Sequence, residues 1–368
     1  MREGWEIRTL GEIATIYDHL RKPITKSDRK AGPYPYYGAS GVQDHVEDYI
    51  FDGRYLLVGE DGAKWGPGDK SAYIVEGKCW VNNHAHILQL NGVKDTLVAY
   101  LFTFRDLGPY ITGAIVPKMT QQALRSIPIP VPPIAEQEKI IAELDCLTDI
   151  IEKKKQQLED LDKLAQSIFY DMFGDPIVNE KGWEVKKLGE IGKVITGNTP
   201  TTRDAENYSS NDYCFVKPGD IGKDTVEIIE QTEAHISTKA YLSSRRLPVG
   251  SVLTTCIGIV GKVGITKKEA ICNQQINAIL PNDGMSSTYV ATAILLCRKV
   301  LEAMANAPVV PIINKGDFSS ISIPFPTLDL QNKFAQKIEA IEKHKELVKR
   351  SIVETETLFN SRMDYWFN

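Results

Sequence analysis

The 368-residue sequence lacks the features that mark membrane, secreted and disulfide-stabilised proteins. It contains no uncharged apolar run of about 18 residues, which a membrane-spanning helix would need. Charged residues at positions 2, 3, 6 and 8 occupy the region where a signal peptide needs an apolar core. The six cysteines are scattered without a Cys-x-x-Cys pair, which argues against a zinc cluster and a disulfide framework. We therefore expect a cytoplasmic protein with buried free thiols and no membrane partner.

Motifs for catalysis and cofactor binding are also missing. The glycine-rich run at residues 258–264 has neither the Gly-x-Gly of a dinucleotide loop nor the Gly-Lys-Ser/Thr of a P-loop. It predicts a tight turn, and the alternative is that its backbone amides bind phosphate. Residues 131–134 (Val-Pro-Pro-Ile) lack the Asn or Asp and the aromatic residue of a methyltransferase motif. His84 and His86 have no carboxylate or cysteine partner at metal-ligand spacing. We expect this chain to have no catalytic site, no metal and no cofactor of its own.

The composition is that of a globular protein with more than one domain. Hydrophobic residues make up 42% and charged residues 25% of the chain, which excludes a long disordered polymer. Because one hydrophobic core seldom organises more than about 250–300 residues, the length predicts two domains. The net charge of -5 is concentrated in residues 134–173, which contain 10 Asp and Glu but only 5 Lys and Arg. Basic residues elsewhere can still gather on one face and bind nucleic acid.

The chain contains an internal repeat. Residues 4–13 recur at residues 182–191, 178 positions later, and seven of the ten are identical. A proline-rich segment at residues 126–132 recurs at residues 320–326, 194 positions later, and a glutamine follows each copy. The second copy therefore holds about 16 additional residues, which we expect in surface loops. Two modules with a common frame and different loops are predicted.

After each proline-rich segment, apolar residues recur in steps of four and three, which is the a/d pattern of a coiled coil. In the first copy these positions hold Ile140, Leu144, Leu147, Ile151, Lys154, Leu158, Leu161, Ala165, Ile168 and Met172. The register survives in the second copy, from Phe334 to Trp366. Each predicted helix has about 35–40 residues and is roughly 55–60 Å long. Lys154 and Lys345 interrupt the apolar seams, and polar residues at such positions fix register.

Short β-rich runs bounded by Gly, Asp, Pro or Asn precede both helices. They are residues 55–58, 72–75, 85–88, 250–255 and 276–280, and short helices are predicted at residues 97–105 and 289–305. The predicted fold class is α/β (α+β), with two small mixed modules, each followed by a long helix. The predicted boundaries are residues 1–132 for the first module, 133–174 for the first helix, 175–326 for the second module and 327–368 for the second helix.

The duplicated openings, the helix entrances and the run Tyr-Pro-Tyr-Tyr-Gly-Ala-Ser-Gly at residues 34–41 resemble the specificity subunit of type I restriction-modification systems. The resemblance covers essentially the whole chain. It implies two target recognition domains, an antiparallel coiled coil of the two helices, and recognition of a bipartite, asymmetric DNA target by a chain without a catalytic site. The implied partners are double-stranded DNA, two methyltransferase subunits that bind S-adenosylmethionine, and restriction subunits that use ATP and magnesium to translocate and cut DNA.

Candidate DNA-contacting residues occupy matching places in the two copies, where base-edge donors and acceptors lie beside cations that suit phosphates. In the first copy they are Lys22, Lys26, Arg29, Tyr37, Ser40, Lys64, Asn82, Asn83 and His84. In the second copy they are Asn198, Thr199, Thr201, Arg203, Arg245, Arg246, Lys262, Asn273, Gln274 and Gln275. The alternative is that the Asn and Gln residues cap turns and that Tyr37 fixes a loop.

A second class of function is compatible with the helices. A scaffold could recruit partners through its coiled coil while the two modules bind protein or carbohydrate. That hypothesis does not explain why the loop residues diverge while the frame repeats. A stand-alone DNA-modifying enzyme would need the cofactor motifs that the sequence lacks.

Overall fold

The computed structural model describes residues 4–113, 115–305 and 310–367. The chain divides into two compact units, Met1–Lys154 with Arg350–Asn368, and Lys155–Lys349. Each unit combines one α/β module with part of both long helices. No helix in the described ranges is long and apolar enough to cross a membrane.

The first module is built on a six-stranded mixed sheet. In spatial order its strands are Ala14–Ile16, Ala85–Leu90, Phe51–Gly59, Ala72–Val81, Tyr34–Gly38 and Gly41–Val46. All neighbours are antiparallel except Tyr34–Gly38, which runs parallel to Ala72–Val81. Its α-helices are Leu10–Ile13, Asp95–Phe104 and Gln121–Ser126, with 3-10 turns at Asp18–Leu20 and Gly108–Tyr110. The strands Glu6–Thr9 and Pro128–Val131 pair separately and join the start of the module to its end.

In the main sheet of the second module, the first four strands repeat the first four of the six-stranded sheet, and the fifth strand differs. Its five-stranded sheet has the order Gly192–Thr196, Ile276–Pro281, Val252–Thr255, Val263–Thr266 and Val226–Ile229. A three-stranded sheet contains Ala234–Ile236, Tyr213–Val216 and Ala270–Cys272, and Val185–Lys187 pairs with Ser322–Pro324. The α-helices are Leu188–Ile191, Thr238–Ser243, Ser287–Leu296, Arg298–Met304 and Lys315–Ser320, with 3-10 turns at Ala205–Tyr208 and Pro218–Asp220. The helix predicted at residues 289–305 is thus two helices that meet at Cys297.

The additional residues of the second copy are not only surface loops, as the repeat alone suggested. They fall between Tyr213–Val216 and Val252–Thr255, where the first module has the single strand Gly41–Val46 in the corresponding interval. The segment forms the strands Val226–Ile229 and Ala234–Ile236 and a short helix. Side chains from this segment, such as Ile236 and Tyr241, join a buried cluster of their own. Because these side chains are apolar, they are more stable packed against the sheet than exposed.

The repeated motifs hold the same places in both modules. Gln137 and Gln331 are buried at the entrances of the long helices, and each donates to a proline carbonyl five residues earlier at 2.9 Å. Each side-chain oxygen also accepts a backbone N–H of its own module, from Lys94 at 2.8 Å and from Ser286 at 2.9 Å. These bonds satisfy buried polar groups and fix where each helix leaves its module. The glutamine that follows each proline-rich segment is therefore a structural anchor.

The long helices are Ile134–Phe173 and Leu328–Phe367, each of 40 residues. In the first unit the start of the first helix packs against the end of the second, where Ile140 and Leu144 share a core with Trp366. In the second unit the end of the first helix packs against the start of the second, where Phe169 and Phe334 meet. The helices therefore run antiparallel within each unit, and every predicted a/d residue is buried or half-buried.

Two lysines lie in the helix seams, as the heptad pattern predicts. Lys154 donates to Thr355 Oγ1 at 2.8 Å and to Ser351 Oγ at 2.6 Å in the first unit. Lys345, only 7% exposed, pairs with Asp162 at 2.7 Å and with Glu342 at 2.9 Å in the second. Each ammonium reaches its partners on the other helix only in one helix register, which is why a polar seam residue selects that register.

Replacing Asp162 with alanine should lower the free energy of unfolding by about 2–3 kcal/mol, because it leaves a buried ammonium with one partner fewer. Lys345→Met should be close to neutral, since it removes the charge and keeps the apolar stem. Urea unfolding measures both variants. Asp160→Ala, on the exposed side of the same helix, is the matched control and should have little effect. Equal losses in Asp162→Ala and Lys345→Met would contradict this account of the seam.

Candidate nucleic-acid interface

The candidate DNA-contacting residues centre on a turn that both modules share. In the first module, residues 82–84 precede the strand Ala85–Leu90, and in the second, residues 273–275 precede Ile276–Pro281. Both strands pair antiparallel with the first strand of the main sheet and with a central strand. We call residues 82–84 and 273–275 the reading turns. The sheet registers make them structurally equivalent.

The asparagine that begins each reading turn is a structural residue. Asn82 is 2% exposed and Asn273 is 9% exposed. The Oδ1 of Asn82 accepts the backbone N–H of His84 at 2.8 Å, and the Oδ1 of Asn273 accepts that of Gln275 at 3.1 Å. This arrangement is an Asx turn, which the alternative interpretation of the sequence anticipates. Because both side chains are buried and hydrogen-bonded within the module, the geometry argues against direct base contact by either asparagine.

The next residues of each reading turn face solvent. Asn83 and His84 are exposed in the first module, and Gln274 is exposed in the second. His84 Nδ1 forms a short hydrogen bond with Asp61 Oδ1, which orients the imidazole. The side chains of His84 and Asp61 line a shallow pocket of about 430 Å³ together with Ala39, Ser40, Gln43, Gly62 and Val116. Donors and acceptors therefore converge on one opening in the surface of the first module.

A buried ion network supports the first reading turn from below. Arg21 donates to Glu60 Oε2 at 2.5 Å, to the Ala85 carbonyl at 2.7 Å and to the Asn83 carbonyl at 3.4 Å. His86 is 1% exposed, with Nδ1 2.6 Å from Asp18 Oδ2. Burial raises the pKa of Asp18, but the hydrogen bond and charge of His86 and the charge of Arg21 lower it below its ordinary value. One guanidinium thus ties the backbone of the reading turn to two buried carboxylates.

Asp18, Glu60 and His86 also bring their ligand atoms within 4.8 Å of one another, close enough to hold a metal ion. The surrounding cations oppose that use of the cluster. Arg21 lies 3.4 Å from Asp18 Oδ2, and the Lys118 ammonium lies 2.6 Å from Glu60 Oε1. Because these two cations already balance the two carboxylates, an added divalent ion would face a site with no excess negative charge. The cluster fits an ion-pair network better than a metal site.

The second module has an uncharged version of the same network. Thr196 donates to Asn277 Oδ1 at 2.6 Å, and Asn277 Nδ2 contacts Cys256 Sγ at 3.2 Å and the Ile313 carbonyl at 3.3 Å. The strand registers place these side chains where the first module has Asp18, His86 and Glu60. Burial raises the pKa of the Cys256 thiol to about 11, so that it stays neutral near pH 7. The modules therefore share a frame and differ in the charge of its polar core.

Around the second reading turn, side chains from the module opening and from residues 244–245 are joined by hydrogen bonds. Thr199 donates to Gln274 Oε1 at 2.7 Å, and Asn198 Oδ1 accepts the backbone N–H of Arg245 at 2.9 Å. Arg245 Nη1 in turn donates to the Thr196 carbonyl at 2.8 Å. The sequence-predicted candidates Asn198, Thr199, Arg245 and the reading turn are thus brought together in one polar patch.

Comparison with known proteins agrees with this layout. Residues 2–160 and 180–357 match the family described as Type I restriction modification DNA specificity domain. The chain belongs to that family. A Haemophilus influenzae protein named as a type I restriction enzyme specificity subunit is 28% identical over 295 residues, 76% of this chain and 74% of that protein. The family resemblance predicted from the sequence is therefore confirmed, and the chain serves DNA target recognition in a type I system.

Solved structures share the fold. The type I restriction-modification S subunit from M. genitalium superposes with a TM-score of 0.61 over 98% of this chain and 95% of that chain, at 12% identity. A chain from a study of complex assembly and conformational transition in a type I restriction-modification system gives 0.60 over 99% and 97%, at 17% identity. The predicted fold class, two mixed modules with a helical coiled coil, is confirmed.

Several side chains that the sequence predicted to contact DNA bind other residues of the chain. Arg29 donates to the Ile24 carbonyl at 3.1 Å and to Asp44 at 3.2 Å, and it stacks on Tyr36. Tyr37 packs beside Tyr73 in a buried cluster, and burial raises its pKa. Lys262 Nζ donates to the Pro218 carbonyl at 2.5 Å. These side chains position loops in the free chain, and their DNA contacts stay predictions.

The remaining predicted residues are accessible in their modules. Thr201 Oγ1 accepts the backbone N–H of Arg203 at 3.3 Å, which shapes the opening of the second module. Ser40 lies at the pocket of the first reading turn. Exposed side chains that could meet DNA phosphates are those of Lys22, Lys26, Lys64, Arg203 and Arg246.

The residues that the sequence predicted to contact DNA do not include Gln43, Asp61 or Arg21. Gln43 lies on the strand Gly41–Val46, and its Oε1 accepts from Asn82 Nδ2 at 3.2 Å across 39 residues. No local pattern marks it, because the contact depends on the pairing of Tyr34–Gly38 with two other strands. Asp61 follows Glu60 in a glycine-rich loop, and this acidic pair was the one feature of the sequence that could have indicated partners for His84 and Arg21.

Proposed function

We propose that this chain is the DNA-recognition subunit of a type I restriction-modification complex and that each module reads one half of a bipartite, asymmetric target. The observation that carries the proposal is the pair of reading turns, which have the same backbone and different exposed side chains. Two copies of one frame with different readers suit two half-sites of different sequence. A scaffold for protein or carbohydrate would not require this pattern.

In this proposal the chain itself is not catalytic. Its sequence lacks a cofactor motif, and polar side chains beneath each reading turn form hydrogen bonds with one another. Methylation would be performed by methyltransferase subunits with S-adenosylmethionine, two per chain. Cleavage would be performed by restriction subunits with ATP and magnesium. The methyltransferase subunits also supply positive charge, since this chain has a net charge of -5.

We expect the isolated chain to bind DNA weakly at physiological salt, because specific binding leans on phosphate contacts and the chain provides few net cations. With its methyltransferase subunits, the affinity for the cognate duplex should exceed that for a scrambled duplex by about a thousandfold or more. Fluorescence anisotropy with both duplexes, with and without the partner, measures this. Nanomolar specific binding by the isolated chain would contradict the charge argument. A complex without sequence preference would contradict DNA recognition and favour the scaffold.

A further inference from the structure

The amide group of each buried asparagine has a fixed orientation. A backbone N–H can only donate, so the atom of Asn82 that contacts the His84 N–H must be Oδ1, and the same holds for Asn273 and Gln275. The other amide atom of each asparagine is therefore the NH2 group, which can only donate. The assignment of oxygen and nitrogen in both asparagines thus follows from the backbone, without a choice between two rotamers.

Each asparagine in turn fixes the orientation of a glutamine amide through a hydrogen bond. Asn82 Nδ2 lies 3.2 Å from the amide of Gln43, and Asn273 Nδ2 lies 2.9 Å from the amide of Gln275. Because each asparagine nitrogen donates, the glutamine atom that faces it must be Oε1. The NH2 group of each glutamine then points away from the asparagine. In the described ranges that NH2 group has no internal acceptor in either module.

The two modules reach this arrangement from different places in the chain. Gln275 belongs to the reading turn itself, whereas Gln43 comes from a neighbouring strand and lies at the pocket beside His84. The position equivalent to Gln275 in the first module is His84, which is turned toward Asp61. Gly38 leaves the space for Gln43, since a Cβ there would collide with the Gln43 amide. Both modules therefore present an amide donor over a buried asparagine despite the sequence difference.

We propose that Gln43 and Gln275 are specificity-determining residues, each presenting an NH2 group of fixed orientation to a hydrogen-bond acceptor on a base edge. The inference rests on the proposed function. In the major groove, guanine offers the acceptors O6 and N7, whereas cytosine offers the N4 donor. An outward NH2 group can therefore bond to guanine, to adenine N7 or to thymine O4, and it rejects cytosine at the contacted position. Asn82 and Asn273 are positioning residues that set the orientation of the reader.

The proposal predicts that the base preference changes when an acceptor replaces the outward donor. Gln275→Glu makes this replacement directly and should shift the preference at one base pair by about tenfold or more toward a base with a donor. Asn273→Asp should act at the same base pair, because the carboxylate would attract the Gln275 NH2 group and turn Oε1 outward. Gln43→Glu should act in the other half-site only. Gln231→Glu makes the same chemical change at an exposed position of the second module and should leave the target unchanged.

The test is selection from randomised duplexes by the complex of this chain with its methyltransferase subunits, followed by sequencing of the bound DNA. Thermal melts establish that each variant is folded, and the half-site read by the unchanged module serves as an internal control. An unchanged preference in folded Gln275→Glu, or shifts at different base pairs for Gln275→Glu and Asn273→Asp, would overturn the proposal. If Asn273→Asp fails to fold, the Glu variants decide. A wild-type complex that selects no sequence would refute the proposed function itself, and the assignment with it.

Discussion

Replacing Arg21 with methionine is expected to lower the stability of the first module by about 3–5 kcal/mol and to leave the second module unchanged. The guanidinium is 12% exposed and pairs with two carboxylates that are less than a tenth exposed, Asp18 and Glu60. Without it, both carboxylates stay buried with too little positive charge around them. Peptide-resolved hydrogen exchange separates the two modules, through the strands Ala85–Leu90 and Ile276–Pro281.

Lys118→Met provides the matched control for this prediction. Its ammonium pairs with the same Glu60 but is 44% exposed, so its removal should change stability by less than about 1 kcal/mol. If Arg21→Met behaved like Lys118→Met, the network would not be a structural support of the reading turn. Equal destabilisation of both modules would show that the effect is not confined to the element that Arg21 holds.

Exchanging residues 5–125 for the first module of another family member should replace one half of the DNA target and preserve the other half. Each mismatched base pair reduces binding by about 1–3 kcal/mol, so a changed half-site of several base pairs should reduce affinity for the original target by a thousandfold or more. Competition binding with duplexes that combine old and new half-sites measures the change. Lys64→Ala is the contrasting variant, because loss of a phosphate contact should weaken binding to all sequences alike.

The arrangement of two modules and two long helices could be predicted from the sequence because the sequence contains two copies of the same motifs. The repeated openings, the proline-rich segments and the heptads each mark a contact that both copies make, as the helix anchors Gln137 and Gln331 show. The repeat did not predict contacts correctly where aligned residues have different partners. Trp5 donates to Glu136 at the start of the first long helix, whereas the aligned Trp183 donates to the Phe173 carbonyl at its end. Identity of residues did not guarantee identity of contacts.

The candidate site was less predictable because its residues meet through tertiary packing. Sequence reasoning located the reading turns, since Asn and Gln precede a strand in both copies. It did not separate the buried Asn82 from the exposed Asn83, because both are asparagines in one turn and only the sheet decides which faces inward. It predicted a phosphate contact for Lys262, which stays a prediction, but it did not show that the Lys262 ammonium donates to the Pro218 carbonyl in the free chain. Such choices depend on distances between strands that no local pattern encodes.

The central claim is that each module reads its own half of the target. Single-molecule methylation sequencing of DNA from cells that carry this chain with its methyltransferase subunits tests it most directly, with and without the exchange of residues 5–125. The account predicts a bipartite, asymmetric methylated motif in which the exchange alters one half and leaves the other half and its methylation intact. Alteration of both halves, or an unchanged motif after the exchange, would contradict it.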